Sequence, residues 1–475
     1  MAGLATAVRL ADLGHRVAVY ERAGAVGGRV GRYSRGGYTF DTGPDLLTLP
    51  AVYRDLFRST GRPIERIVEL VPADPAVGYR FADGVHVDLP NASRAGSARA
   101  IADALGPGRS AEWQSIIDHG RQVWQLLRAP YLIAAPRRRD LARLARPAAL
   151  RILTPNRTVR QLGLASSADP RLRAMLERAV PGSDPRQAPA ALAAVPYLHE
   201  TFGRWYVAGG MYRLAEAVRD RAVERGAAIH TGAEVAEVLV QSGRVTSVRL
   251  ASGETVPADV VVAAVDSLVL YGSLLGGRFR TGAPLRRPAA RPAAAFAVLL
   301  ACSNQLPTLP RHTIVLTADA DREFDAVYGA SPTLPDDPTV ELVSPDDPEL
   351  GPGDGGRALT ARVTVPGPDV IDWTEPGRAD AYADRVLAVL ADRGMDLREQ
   401  VRWRVVRTPA DVRRASGSAD AWGPPITGFR SILRRPPNRT PVHGLFLAGD
   451  STHPGPGLPL VGLSAAIVAD LVGRA

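Results

Sequence analysis

The sequence predicts an α/β protein organised around a dinucleotide-binding βαβ unit. Three observations predict it. A helix and a strand at the start of the chain close on an acidic residue, Glu21. A Gly-Gly-Arg loop, Gly27-Gly28-Arg29, follows at once. At the far end of the chain a short apolar strand stops at Gly449-Asp450, and a glycine-rich turn then feeds an apolar helix.

The first element is a helix opening at Gly3. Leu4 and Val8 repeat at helical spacing, and Gly3, Ala7 and Ala11 form a small-residue face that lets a sheet approach. Gly14 is placed to cap its C-terminus. The strand Val17–Tyr20 follows, and Glu21 at its end can accept hydrogen bonds from a ribose. In a G-x-G-x-x-G unit Gly3 is the third glycine, with Met1 and Ala2 as the two variable residues. The first strand and the first two glycines then fall before Met1, so we expect the sequence as written to lack them, through a late start or a truncation. Residues 1–21 alone fit an ordinary αβ unit with a solvated Glu equally well. The run from Glu21-Arg22 to Gly27-Gly28-Arg29 shifts the balance. Paired glycines bring backbone N–H groups up to a pyrophosphate, and the arginine adds a fixed cation.

The next runs carry more detail. Tyr38-Thr39-Phe40-Asp41-Thr42-Gly43-Pro44 is an aromatic-rich strand ending in a D-x-G-P turn. Arg204–Met211 leads into a helix ending near Gly226, and a β-meander is expected at 235–240, 245–251 and 256–265, with turns at Ser242-Gly243 and Ser252-Gly253. In the last helix Pro459 suits the first position, and Leu460, Leu463, Ile467 and Leu471 share one face. A helix N-terminus beside a glycine-rich turn binds anions and carbonyl groups.

Together these runs resemble the carotenoid (phytoene) desaturase family, within the larger amine-oxidase-like group of FAD proteins. The resemblance implies a Rossmann-like FAD-binding domain with an interleaved α+β substrate domain. It places Gly3, Glu21, Arg22, Gly27, Gly28, Arg29, Gly43 and Pro44 on the cofactor. It gives the backbone of Val235 to adenine and Gly449-Asp450 to the ribityl-phosphate region. Pro459, Leu460 and Val461, at the helix N-terminus, would face the flavin's pyrimidine oxygen. The turn departs from the family pattern at Pro456, where glycine is more typical. The expected organisation is a discontinuous FAD domain, 1–75, 200–270 and 430–475, with 76–199 and 271–429 forming the substrate domain.

Composition is compatible with this. At 475 residues and 45% hydrophobic content, the chain can bury large cores in two domains. The single cysteine, Cys302, lies in an apolar run and reads as a buried small hydrophobe, which suits a reducing, cytoplasmic compartment. No Cys–His cluster has metal-ligand spacing, and no metal is expected. No signal peptide or membrane-spanning run is visible. The chain has no lysine, so all 58 basic residues are arginine, and the net charge is +9. Arginines crowd between Arg121 and Arg178 among Trp124, Tyr131, Leu132, Ile133, Leu141, Leu144 and Leu150. Such a stretch suits a segment lying on the inner, anionic face of a membrane, and equally a solvated basic face. A nucleic-acid partner is not expected, because no nucleic-acid motif accompanies the charge.

The implied chemistry is desaturation of a hydrophobic polyene by hydride transfer from an allylic carbon to flavin. Oxygen or a quinone is the expected electron acceptor, because no second nucleotide motif offers a nicotinamide site. Carotenoid isomerisation and amine oxidation use the same cofactor motifs and stay open. Amine oxidases that resemble this fold place a lysine near the flavin, which this chain cannot. A non-catalytic relic lacking the first strand also stays open. No general base is assigned, and Asp41 reads as a turn-capping residue rather than a catalytic one.

Overall fold

The computed structural model describes residues 1–180, 182–276, 293–367, 369–417 and 425–475. The first helix, Ala2–Asp12, runs as expected, with Leu4 and Val8 buried. Gly14 follows it at φ +96°, where only glycine is unstrained, and the chain turns into the strand Ala18–Glu21. That strand pairs in parallel with Ala228–Thr231, and the helix Tyr212–Glu224 precedes this partner. The small-residue face does what small residues allow: a Cβ on Gly3 would lie 3.2 Å from Ala264 Cβ.

The meander forms over Val235–Gln241, Arg244–Leu250 and Thr255–Pro257. Its third strand is shorter than the sequence suggests. Pro257 has no N–H to extend the ladder, and the chain leaves the meander there. Val261–Ala263 instead pairs in parallel with Leu445–Leu447, so one apolar run serves two sheets. Central α/β strands therefore come as two separate parallel pairs among the described residues.

A second body is built on a seven-stranded sheet. In spatial order its strands are Val401–Arg407, Ala293–Cys302, Arg357–Pro366, Val340–Val343, His312–Val315, Val77–Arg80 and His86–Leu89. Pairing is antiparallel except between His312–Val315 and Val77–Arg80. Side chains alternate between its faces, as strand geometry requires. One face, with Phe296, Val298, Leu300, Leu359, Ala361 and Val363, packs on the helix Arg378–Asp392 in a dry core that includes Cys302. The other face carries Ala297, Arg362, Glu341 and Arg407 in one cross-strand row.

The helices Arg94–Leu105, Pro107–Leu127 and Ala194–Phe202 pack beside that sheet. A π-helical turn, Arg128–Leu132, and the short helices Arg138–Leu144 and Pro147–Leu153 extend from them. The last helix, Leu458–Val472, returns to pack along the first. Its tightest face is not the leucine stripe. Of the expected stripe Ile467 is buried, but Leu460, Leu463 and Leu471 are half-buried, whereas Gly462, Ser464, Ala465 and Val468 are fully buried. Gly462 explains the choice: a Cβ there would meet Val52 Cγ1 at 2.7 Å, so the side chains of the helix Ala51–Ser59 fit against this face only where the last helix carries no side chain. Among the described residues no helix is long and apolar enough to cross a membrane.

Candidate cofactor site

Five segments meet at the ends of the parallel strands. The first is the strand end at Glu21. Its carboxylate accepts a hydrogen bond from Ala23 N at 2.9 Å, and its carbonyl accepts one from Ala233 N at 2.9 Å. The second bond ties Glu21 to the entry of the meander, so Val235 lies two residues from that contact. Arg22 does not join this group. Its guanidinium reaches Arg414 O at 3.4 Å and packs over Gly417.

The second segment is the glycine loop. Gly27 and Gly28 have φ of +112° and +63°, both in glycine territory. Gly27 is pinned, since a Cβ there would lie 2.2 Å from Val30 O. Gly28 faces open space, with nothing within 4 Å of its Cβ position. The Met1 ammonium donates to Gly27 O at 3.2 Å, and burial pushes it down to about 6 while Glu21 and Asp450 oppose that shift.

The third segment is the turn after Asp41. Asp41 caps the helix Tyr212–Glu224 by accepting from Met211 N at 2.7 Å and Tyr212 N at 3.1 Å. Burial pushes its carboxyl up to about 7 against those donors. The turn-capping expectation for Asp41 thus describes its contacts. Gly43 lies directly on the glycine loop: a Cβ would sit 1.9 Å from Arg29 O. Thr42 N donates to Gly31 O at 2.9 Å and completes the seam, with Pro44 half-buried beside it.

The fourth and fifth segments are the Gly449-Asp450 turn and the last helix. Gly449 has φ +144° and its N–H donates to Ser464 Oγ at 3.2 Å. Asp450 pairs with Arg29 at 2.5 Å, both side chains about a quarter exposed. That pair joins the glycine loop to the C-terminal turn. Asn438, absent from the sequence expectations, knits the turn from below. Its amide nitrogen Nδ2 lies 3.0 Å from Leu447 O, 2.9 Å from His453 O and 3.0 Å from Ser464 Oγ, and its two hydrogens are shared among these acceptors. Arg435 is equally unforeseen and donates to Asp450 O at 3.2 Å. Pro459 stands in the first helical turn, where its missing N–H costs nothing. Gly457, the N-cap, has no side chain to cap the helix and has open space at its Cβ position, and Val461 N donates back to its carbonyl at 2.9 Å. Leu460 lies half-buried in the same turn.

This geometry suits an extended anionic dinucleotide. It offers a carboxylate for a ribose at one end and a glycine cradle beside an arginine in the middle. A helix N-terminus without a side-chain cap stands at the other end. The flavin containing amine oxidoreductase family matches residues 1–472. The chain belongs to that family. It is 31% identical to a 4,4'-diapolycopene oxygenase of a Methylomonas species, over 99% of this chain and 96% of the relative. It is 30% identical to a hydroxyneurosporene desaturase of Cereibacter sphaeroides, over 100% of this chain and 97% of the relative. Among solved structures, wild-type putrescine oxidase shares the fold at TM-score 0.63 and 17% identity, covering 99% of this chain and 96% of that one. An oxidoreductase of Methanosarcina mazei does so at TM-score 0.62 and 16% identity, covering 99% and 98%. The fold is that of the Rossmann-like FAD domain with its interleaved partner, and the chain is an FAD-dependent oxidoreductase.

Proposed function

We propose that this chain desaturates a carotenoid precursor. The observation that carries the substrate class is end-to-end similarity to relatives named for carotenoid desaturation and oxygenation. When bound, FAD supplies a two-electron oxidant for an allylic C–H bond; a proton then leaves the neighbouring carbon to solvent and a C=C bond forms. The protein's own residues bind and orient. Glu21 and the Val235 backbone hold the adenosine end, while Gly3, Gly27, Gly28 and Arg29 receive the pyrophosphate. Gly43 and Pro44, Gly449 and Asp450, and the turn Pro459-Leu460-Val461 enclose the flavin end. Arg22, directed at Gly417, stands outside this set. The cofactor body draws on 1–75, 200–270 and 430–475, and the substrate body on 76–199 and 271–429. The seven-stranded sheet, built from 77–89 and 293–407, supports that division.

The substrate dissolves in bilayers, and one face suits collecting it there. Ile133, Leu141 and Leu150 are 45%, 37% and 39% exposed. Arg139, Arg143, Arg146 and Arg151 stand exposed among them, with Asp140 as the one carboxylate from 128 to 153. Apolar side chains ringed by cations favour the surface of an anionic membrane. Sedimentation with phosphatidylglycerol vesicles checks this: Leu141→Glu with Leu150→Glu should cut bound protein about tenfold, on the order of 1–2 kcal/mol. Equal binding by the double variant sinks the assignment.

The reaction is tested by supplying phytoene and hydroxyneurosporene in such vesicles, with oxygen or a quinone as acceptor. Desaturation gives products of longer absorption wavelength that have lost hydrogens. A product of unchanged mass would indicate isomerisation, and gained oxygen would assign the chain to the oxygenases. Peroxide released from amines without polyene turnover would overturn the carotenoid reading.

A further inference from the structure

The sheet face that carries the arginine row reaches into the cofactor turn. Arg362, with 13% of its side chain exposed, donates through Nη2 to Gly43 O at 2.9 Å. Its Nη1 donates to Asp45 Oδ2 at 2.9 Å and to Glu341 Oε2 at 3.3 Å. Glu341 is held in turn by His312 Nε2 at 2.5 Å, and Arg204 donates to His312 Nδ1 at 2.7 Å. With Nδ1 accepting, His312 is the neutral tautomer that donates from Nε2. The nearest cationic neighbour in the row, Arg407, donates to Thr42 O at 3.4 Å. Strand register sets the row, because Glu341, Arg362, Ala297 and Arg407 are direct cross-strand partners. A planar guanidinium with two carboxylates behind it and a backbone carbonyl in front is fixed in direction as a lysine would not be.

We propose that Arg362 is a positioning residue for the flavin: it is the strut by which the substrate sheet holds the Thr42–Asp45 turn against the glycine loop. This rests on the reading that this turn encloses the flavin. Its effect on the cofactor has two separable parts. The cation, with Asp45 and Glu341 otherwise left as uncompensated anions, favours negative charge on reduced flavin. The fork geometry fixes the turn, and through it the distance between flavin and substrate.

Arg362→Gln and Arg362→Lys in the FAD-loaded enzyme separate these parts. The flavin midpoint potential should fall in Arg362→Gln and return close to wild type in Arg362→Lys, since potential follows charge. The kcat should drop roughly ten- to a hundredfold in both with KM for the polyene little changed, since a small misplacement near the chemistry costs that much. Both variants matching wild type in potential, visible flavin band shape and kcat would overturn the proposal. If Arg362→Gln does not fold, Glu341→Gln decides: it removes the backing without touching the turn, and an unchanged potential and kcat would overturn the proposal equally. Wild-type protein that takes up no FAD would instead remove the underlying cofactor reading, before any variant is compared.

Discussion

Alanine at Gly43 separates tight packing from cofactor contact, when set beside alanine at Gly28. At Gly43 the new Cβ would lie 1.9 Å from Arg29 O and 2.8 Å from Arg29 C. Optimal contact between non-bonded heavy atoms is about 3.5–4.0 Å, so the two loops must part by more than about 1 Å. Both obstructing atoms are backbone, so no rotamer change relieves the overlap. The cost should reach the upper end of overpacking, about 3 kcal/mol. For a chain of this size that lowers Tm by several degrees, on the order of 5 °C, with or without FAD. At Gly28 nothing lies within 4 Å, and only the φ of +63° is unfavourable. Alanine there costs about 1 kcal/mol in the apoprotein. Its methyl nevertheless fills the cradle, so FAD affinity should fall at least about tenfold, a matter of 1.4 kcal/mol. Thermal unfolding by circular dichroism and FAD titration by fluorescence quenching give the two numbers for each variant. A Gly43→Ala protein with wild-type Tm would refute the packing reasoning. A Gly28→Ala protein with wild-type FAD affinity would take the loop off the cofactor.

Two further outcomes follow from buried polar groups. Asn438→Leu keeps volume but strips the donors from the carbonyls of Leu447 and His453 in a site where Asn438 is 2% exposed. Unfolding in urea should show a loss of about 2–4 kcal/mol; a loss below about 0.5 kcal/mol would mean that water replaces the amide. For His453, burial, with Arg435 adding to it, pushes the imidazole from 6.5 down to about 4. The unfolded chain takes up this proton below about pH 6.5 and the folded protein refuses it until about pH 4. Stability from this group is therefore full above pH 6.5 and is lost as pH falls, by on the order of 3 kcal/mol at about 1.4 kcal/mol per pKa unit. His453→Gln should flatten the acid limb of the stability curve by that amount, and an unaltered limb contradicts the assignment.

How much of this was legible in the sequence depends on how local each constraint is. Glycines at 14, 27, 28 and 449 mark backbone shapes that neighbouring residues already announce, and each has the positive φ that such a shape needs. The helix Ala2–Asp12 and the strand Ala18–Glu21 carry their own periodicity. The apolar run after Val256 reads as one strand because nothing local says that Val261–Ala263 will choose Leu445–Leu447. The leucine stripe of the last helix misleads for a related reason. At Gly462 the close approach of a neighbouring side chain, Val52, rather than the size of the helix's own side chains, marks the buried face. Arg362 left no signal at all. Arg362 meets Gly43 across 319 positions of chain, and no periodicity encodes such a partner.

The site joins segments that lie far apart in the sequence, and this sets the span that folding must close. His15 Nε2 lies 2.9 Å from Gly473 O, 458 positions away, and Arg29 meets Asp450. During synthesis the glycine loop is made long before Asp450, its counter-charge. Closure over so long a span is slow relative to local helix formation. Until then the glycine loop and the Gly449-Asp450 turn stand apart, and the cleft between them is incomplete.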